Sequence, residues 1–254
     1  MDVRLRIDDV EVTAPAGASL LDVARRAGYD IPALCHHEAV PAIAACRLCL
    51  VEVRRPGRSE AALTTSCDYP VSAGLEVVTD SPRIRKHRAM NLQLLMPYAP
   101  AAPVLQELAA RLGVTHPLFP PVADAPLPGC ILCELCVRVC AALGYHALST
   151  LGRGDHKSVG PPFGAAAADA CVGCGACHLA CPTHCIPMED TATTRTIWGR
   201  TFELSACRSC HTPFMTEAHR AAVAARGDLP EDYYDLCEAC KQAATGERLA
   251  VIVR

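Results

Sequence analysis

Nowhere in these 254 residues does an apolar run reach the roughly 18 residues that a membrane span needs. The opening MDVRLRIDDVEV alternates charge with β-branched residues and lacks the apolar segment of a general-secretion signal. Both absences predict a cytoplasmic protein with no direct membrane insertion. Charge of one sign is missing too: 24 Lys and Arg against 27 Asp and Glu leave a net −3. Nothing global therefore points to nucleic acid or to an anionic membrane. The one basic run, Arg83, Arg85, Lys86 and Arg88, reads as a solvated helix face. There is no G-x-G-x-x-G fingerprint and no P-loop, so neither nucleotide nor flavin is expected on this chain. The histidines are scattered and none is paired with a nucleophile or base, so no catalytic residue is assigned. Aromatic residues are scarce, at 4% against 51% hydrophobic overall. A core drawn mostly from Ala, Val and Leu is thin, and inorganic cross-links would help to hold it.

What is abundant is cysteine. Disulfide scaffolds this rich are short secreted domains, and a reducing cytosol would keep these 17 thiols free. Metal is the remaining reading, and spacing decides which. Cys130, Cys133, Cys136 and Cys140 are spaced C-x2-C-x2-C-x3-C, and Cys171, Cys174, Cys177 and Cys181 repeat that spacing 41 residues on. This is the bacterial ferredoxin pattern, in which three thiolates hold one cubane and the fourth ligates the other. It assigns one [4Fe–4S] to Cys130, Cys133, Cys136 and Cys181, and a second to Cys140, Cys171, Cys174 and Cys177. A tight turn of this length lets three sulfurs converge while its N–H groups face the cluster sulfides. Pro182 follows Cys181 as the pattern expects, whereas Ala141 follows Cys140. Cys185, in CPTHC, has no partner in the pattern and reads as a small buried hydrophobe.

Upstream, Cys35, Cys46, Cys49 and Cys67 are spaced C-x10-C-x2-C-x17-C. The central C-x2-C and the distant fourth cysteine match a plant-type [2Fe–2S] site, and the first gap is longer. Zinc is the competing reading. Val3-Leu5-Ile7 alternates with charged residues as a half-buried strand, Val10 to Thr13 reads as its hairpin partner, and Ser19 can cap a helix from Leu20 to about Ala27. Leu50–Arg54 and Leu75–Thr79 are further strand candidates. Helices are expected from Pro82 to about Met96 and from Val104 to Leu112.

The order strand, hairpin, SLLDVARRAGYDIPALCHH and CRLCLVEV resembles the N-terminal ferredoxin domain of the large iron–sulfur subunit of complex I. The same module occurs in diaphorase-type iron–sulfur subunits of NAD-linked [NiFe] hydrogenases and formate dehydrogenases. The resemblance continues through LQELAARLGV, GCILCELCVRVC, GRGDHKSVGPPFG and CVGCGACHLACP, covering roughly residues 1–190. It implies an α+β chain: a β-grasp [2Fe–2S] ferredoxin domain (1–80), a small helical linker domain (81–120) and a two-cluster bacterial ferredoxin-like domain (121–190). That family binds a further [4Fe–4S] through one His and three cysteines between its first two domains. Here the stretch NLQLLMPYAPAAPVLQELAARLGV contains no cysteine, so this extra cluster is expected to be absent, with His87 a surface residue.

Residues 191–254 add a hairpin around Gly199, a helix from Glu217 to Ala225 and two C-x2-C pairs, Cys207/Cys210 and Cys237/Cys240. Four thiolates in two knuckles suit a structural Zn²⁺ in a zinc-ribbon-like extension. A third [4Fe–4S] or a rubredoxin-like iron is the alternative. Cys207 to His211 also has the C-x2-C-H form of haem attachment, which would require export. Acidic neighbours (Glu231, Asp232, Asp235, Glu238) and the lack of a basic stripe argue against nucleic acid.

The expectation is an electron-transfer subunit. By resemblance, it relays electrons between a flavoprotein subunit that oxidises NAD(P)H and a catalytic metal subunit of hydrogenase or formate dehydrogenase type. The alternative is a freestanding polyferredoxin that shuttles between separate enzymes. A zinc-dependent regulatory module is a third class, and it would carry little iron.

Overall fold

The computed structural model describes residues 1–162, 168–227 and 231–252; Phe163 and Gly164 of the GPPFG segment lie outside the described residues. At the N-terminus β1 (Asp2–Ile7) and β2 (Val10–Pro15) form a hairpin. Its two turn residues, Asp8 and Asp9, both have positive φ, which matches the right-handed twist of the flanking strands. Helix α1 (Leu20–Arg26) starts at Ser19, whose hydroxyl accepts the Asp22 N–H, and gives way at Gly28 in the left-handed region. Strands β3 (Leu50–Arg54), β4 (Ala62–Thr65) and β5 (Glu76–Val78) complete a five-stranded sheet in the order β2-β1-β5-β3-β4. β1 and β5 are parallel at its centre, and the other pairs are antiparallel. One helix across one mixed sheet is the β-grasp arrangement. The alternation in β1 has its expected meaning: Leu5 and Ile7 are buried against Leu20, Leu21, Val51 and Val77, while Arg4 and Arg6 face solvent.

Helices α2 (Pro82–Leu95) and α3 (Pro103–Leu112) follow and pack together through Leu92, Met96, Leu105 and Leu108. Ser81 caps α2 and Pro82 fills its first turn; α3 ends at Gly113, with φ 69°. This apolar pair presses on Leu34, Cys35, Cys46 and Leu48 of the preceding domain and on Ile131, Cys133 and Leu135 of the next. The basic run does not form one solvated face. Arg83, Arg85 and Lys86 are exposed, but Arg88 is only 4% exposed. Its guanidinium donates to the carbonyls of Leu50 (2.6 Å) and Thr79 (3.0 Å), tying α2 to the sheet. A charge run in sequence does not reveal which of its members meets buried strand-end carbonyls.

The remainder is built from short elements. These are α4 (Leu135–Ala142), the ribbon β6 (Ser149–Leu151) and β7 (Ser158–Gly160), and α5 (Ala176–Leu179). A four-stranded sheet follows, made of β8 (Met188–Asp190), β9 (Thr194–Ile197), β10 (Arg200–Ala206) and β11 (Pro213–Thr216), in the order β11-β10-β9-β8. The β9–β10 turn places Trp198 and Gly199 at positive φ, the hairpin predicted around Gly199. This sheet runs across residue 190: β8 pairs with β9, and Ile197 and Phe202 join the core that holds Cys136, Cys177 and Cys181. Helices α6 (Glu217–Ala224) and α7 (Glu238–Ile252) end the described chain. No helix among the described residues is long and apolar enough to cross a membrane.

Candidate iron–sulfur and metal centres

All four N-terminal cysteines are buried, in the loops leading into β3 and out of β4. The long first gap forms a loop that reverses at Ala44 and Arg47, both left-handed with φ near 50°. That curvature turns backbone donors inward: Leu34 N–H reaches Cys46 Sγ and Cys46 N–H reaches Cys35 Sγ, both at 3.4 Å. Ser66 holds Cys67 to its partner loop, its N–H and hydroxyl both donating to the Cys49 carbonyl (3.0 and 2.8 Å). The thiols pair Cys35 with Cys46 and Cys49 with Cys67. A hydrogen bond from Cys35 brings Cys46 down to about 6, and one from Cys67 brings Cys49 down to about 7. Cys35 and Cys67 are pushed up by the same bonds and by burial. Four thiolates in such a core would be costly to bury alone. Two pairs, each furnishing two sulfurs, suit a pair of iron ions.

In the repeat, the structure gathers the cysteines into two interleaved groups. Cys130, Cys133, Cys136 and Cys181 line one small cavity, together with Cys185. Cys140, Cys171, Cys174 and Cys177 line a second. The two turns are conformational copies: Leu132 and Glu134 adopt the left-handed φ (54° and 57°) that Gly173 and Gly175 adopt in the second (66° and 78°). For Leu and Glu that conformation costs about 1–2 kcal/mol each. Gly173 has no substitute, because a Cβ there would lie 2.7 Å from the Phe202 ring.

Donors again point at sulfur. Leu132 N–H meets Cys130 Sγ at 3.4 Å, Ala147 N–H meets Cys140 Sγ at 3.2 Å, and Trp198 Nε1–H meets Cys177 Sγ at 3.4 Å. Burial pushes Cys133 and Cys177 up to about 11 and Cys136 higher, so these thiols give up protons only to a cation that replaces them. Around the second cavity, Arg195 pairs with Asp190 (2.8 Å) and donates to the Gly173 carbonyl at 3.3 Å. The buried Thr216 hydroxyl donates to the Val172 carbonyl and accepts the His219 N–H, capping α6.

Arg138 on α4, which sequence reasoning passed over, connects two of these centres. Its guanidinium donates to the carbonyls of Cys35 (2.7 Å), Pro41 (2.7 Å) and Cys133 (3.1 Å). Cys185 is half-buried, packed against the core of Cys136, Cys177 and Cys181 as a small hydrophobe would be, and it also reaches the first cavity, its sulfur 3.5 Å from Cys181 Sγ. Its position four residues past a ligand was the available signal. His87 is half-buried on α2, and the stretch between residues 87 and 113 presents the apolar faces of α2 and α3.

The C-terminal four are of another size. The sulfurs of Cys207, Cys210, Cys237 and Cys240 all lie within 4.8 Å of one another, and among the described residues no other group of three or more His, Cys, Asp or Glu ligands is so compact. A metal–sulfur bond of about 2.3 Å in tetrahedral array separates sulfurs by roughly 3.8 Å. Cys210 and Cys237 stand at 3.7 Å. A cubane spreads its thiolates wider, so this shell fits a single ion. N–H groups of Cys210 and Cys237 bring Cys207 down to about 6, readying it as a thiolate.

Comparison with known proteins agrees with this reading at the N-terminus. Residues 1–82 match the 2Fe-2S iron-sulfur cluster binding domain family. The NADPH-Fe(3+) oxidoreductase subunit alpha of Geobacter sulfurreducens is 28% identical over 85% of this chain and 28% of its own length. The mitochondrial NADH-ubiquinone oxidoreductase 78 kDa subunit of Candida albicans is 31% identical over 63% of this chain and 25% of its own. The chain thus spans about a quarter of the length of these curated relatives. A chain of the NAD+-reducing [NiFe]-hydrogenase, solved in the H2-reduced state, is similar with a TM-score of 0.55 and 31% identity, over 63% of this chain and 75% of that one. Residues 1–82 are therefore a 2Fe–2S cluster-binding domain, and the chain is an iron–sulfur subunit related to those of NADH and NADPH oxidoreductase complexes and of NAD-linked hydrogenase.

Proposed function

We propose that this chain is a relay subunit of a multisubunit NAD(P)-linked oxidoreductase. It carries electrons between a flavoprotein that oxidises NAD(P)H and a catalytic metal subunit of hydrogenase or formate dehydrogenase type. On this reading Cys35, Cys46, Cys49 and Cys67 hold the [2Fe–2S]. Cys130, Cys133, Cys136 and Cys181 hold one [4Fe–4S], and Cys140, Cys171, Cys174 and Cys177 the other. Cys207, Cys210, Cys237 and Cys240 hold a structural Zn²⁺. When bound, the clusters accept and release one electron at a time.

The observation that carries the reading is continuity. Arg138 spans the carbonyls of Cys35 and Cys133, and Cys136, Cys177 and Cys181 share one hydrophobic core. Cys35, Cys46 and Cys133 share a second core, so consecutive cysteine sets meet through packed side chains. N–H groups aimed at sulfur favour the charged ligands and raise the potentials of the groups they face. The zinc shell offers no open position, so its four cysteines serve to fasten α7 to the hairpin bearing Cys207.

The test is anaerobic purification of the native complex, with metal analysis and EPR after reduction. Expected are about ten iron atoms and one zinc per chain, one binuclear and two cubane signals, and co-purifying flavoprotein and catalytic chains. About six iron atoms would remove one cubane from the scheme. A protein that purifies alone as a stable monomer would instead be a freestanding shuttle.

A further inference from the structure

Five thiols, not four, converge on the first cubane cavity. Cys185 lines it beside Cys130, Cys133, Cys136 and Cys181. Its sulfur lies 3.5 Å from Cys181 Sγ. The turn CPTHC is built to bring it there. His184 adopts a left-handed φ of 53°, which folds residue 185 back toward residue 181. The Thr183 hydroxyl donates to the Gly129 carbonyl at 2.7 Å, pinning the turn to the opposite wall. Gly129 leaves the space: a Cβ at that position would lie 3.0 Å from Cys185 Cβ.

A cubane has four iron corners and takes four thiolates. A fifth thiol touching one ligand sulfur can exchange with it. Resting on the ligand assignment above, we propose that Cys185 is a reserve ligand for the iron corner held by Cys181. The exchange is a substitution without redox change. The Fe–S bond to Cys181 breaks as that to Cys185 forms, and the proton of the incoming thiol passes to the departing thiolate. A cubane on this chain thus keeps four sulfur ligands when Cys181 is lost, oxidised or alkylated.

The test compares full-length wild type, Cys181→Ala, Cys185→Ala and the double variant, purified anaerobically. Iron per chain and EPR after reduction are read together. Each single variant is expected to retain the wild-type iron content, whereas the double loses about four iron atoms. In Cys181→Ala, Cys185 should also become resistant to iodoacetamide, as read by mass spectrometry, whereas in wild type it should be alkylated. Loss of about four iron atoms from either single variant overturns the proposal. An unchanged [2Fe–2S] signal shows that the variants are folded; if the double fails that check, Cys181→Ala alone decides. Wild type lacking the first cubane would sink the ligand assignment, whereas an iron-complete wild type with an iron-poor Cys181→Ala sinks only the reserve role.

Discussion

Arg88 joins α2 to the sheet with two hydrogen bonds from a single buried nitrogen, and its Nε finds no partner at all. Burial pulls its pKa below the usual arginine value, yet a guanidinium stays charged at any working pH. Cys49, next in sequence to Leu50, is among the groups whose charge favours it. Replacing it with methionine leaves the Leu50 and Thr79 carbonyls buried and unpaired. The expected cost is about 3 kcal/mol of unfolding free energy, read from urea denaturation of the full chain; a loss below about 0.5 kcal/mol would show that water satisfies both carbonyls. At this scale the sequence was informative wherever chemistry repeats at fixed spacing. The grouping of Cys140 with Cys171, Cys174 and Cys177 around one cavity follows the pattern. It was silent where a residue acts through distant backbone. Arg88, Arg138 and Trp198 each meet at least one partner nine or more residues away in sequence, and no local pattern encodes such a meeting.

Among the elements, the β8–β9 ribbon acts as a clamp on the second cysteine loop. Asp190 holds Arg195 by two 2.8 Å contacts, and Arg195 holds the carbonyls of Gly173 and Cys174. The bonds from Arg195 keep the Asp190 carboxyl below its ordinary value of 3.8. Its stabilisation is therefore present above that value and is lost as pH falls through the lower folded-state pKa. Because the pair is partly exposed, Asp190→Asn should cost only about 0.5 kcal/mol at pH 7. It should also flatten the acid side of the stability–pH profile, measured by thermal unfolding from pH 3 to 7. An acid limb as steep as that of wild type would assign the slope to other carboxylates. The longer elements, β1 and α1 to α3, were legible from alternation and capping. The three-residue strands β6, β7 and β8 were not, because so short a segment carries no period to read; β5 is as short but lies within the longer run read at Leu75–Thr79.

At the scale of the molecule, the N-terminal domain is held to the region of the cysteine repeats by Arg138 and by the apolar faces of α2 and α3. Arg138→Met should leave iron content intact while loosening this junction by about 2 kcal/mol. Amide exchange in residues 34–46 should then rise tenfold or more, and dipolar coupling between the [2Fe–2S] and cubane EPR signals should weaken. Unaltered exchange and coupling would mean that the apolar contacts alone set the junction. The N-terminal 2Fe–2S domain was readable from the cysteine spacing and the strand–helix order, but its contacts with the rest of the chain were not, since they depend on which loop carbonyls face α4. The interleaving of the two repeats also bears on synthesis. The N-terminal site has all its cysteines once residue 67 has emerged, well before the repeats are made. The first cavity draws three cysteines from the first repeat and waits for Cys181, by which point the second set is already complete. On a ribosome, the N-terminal cysteine set can therefore be filled early and alone, whereas the two later sets become complete late and nearly together. A chain truncated between residues 140 and 171 would expose the four thiols of the first repeat with neither later set complete.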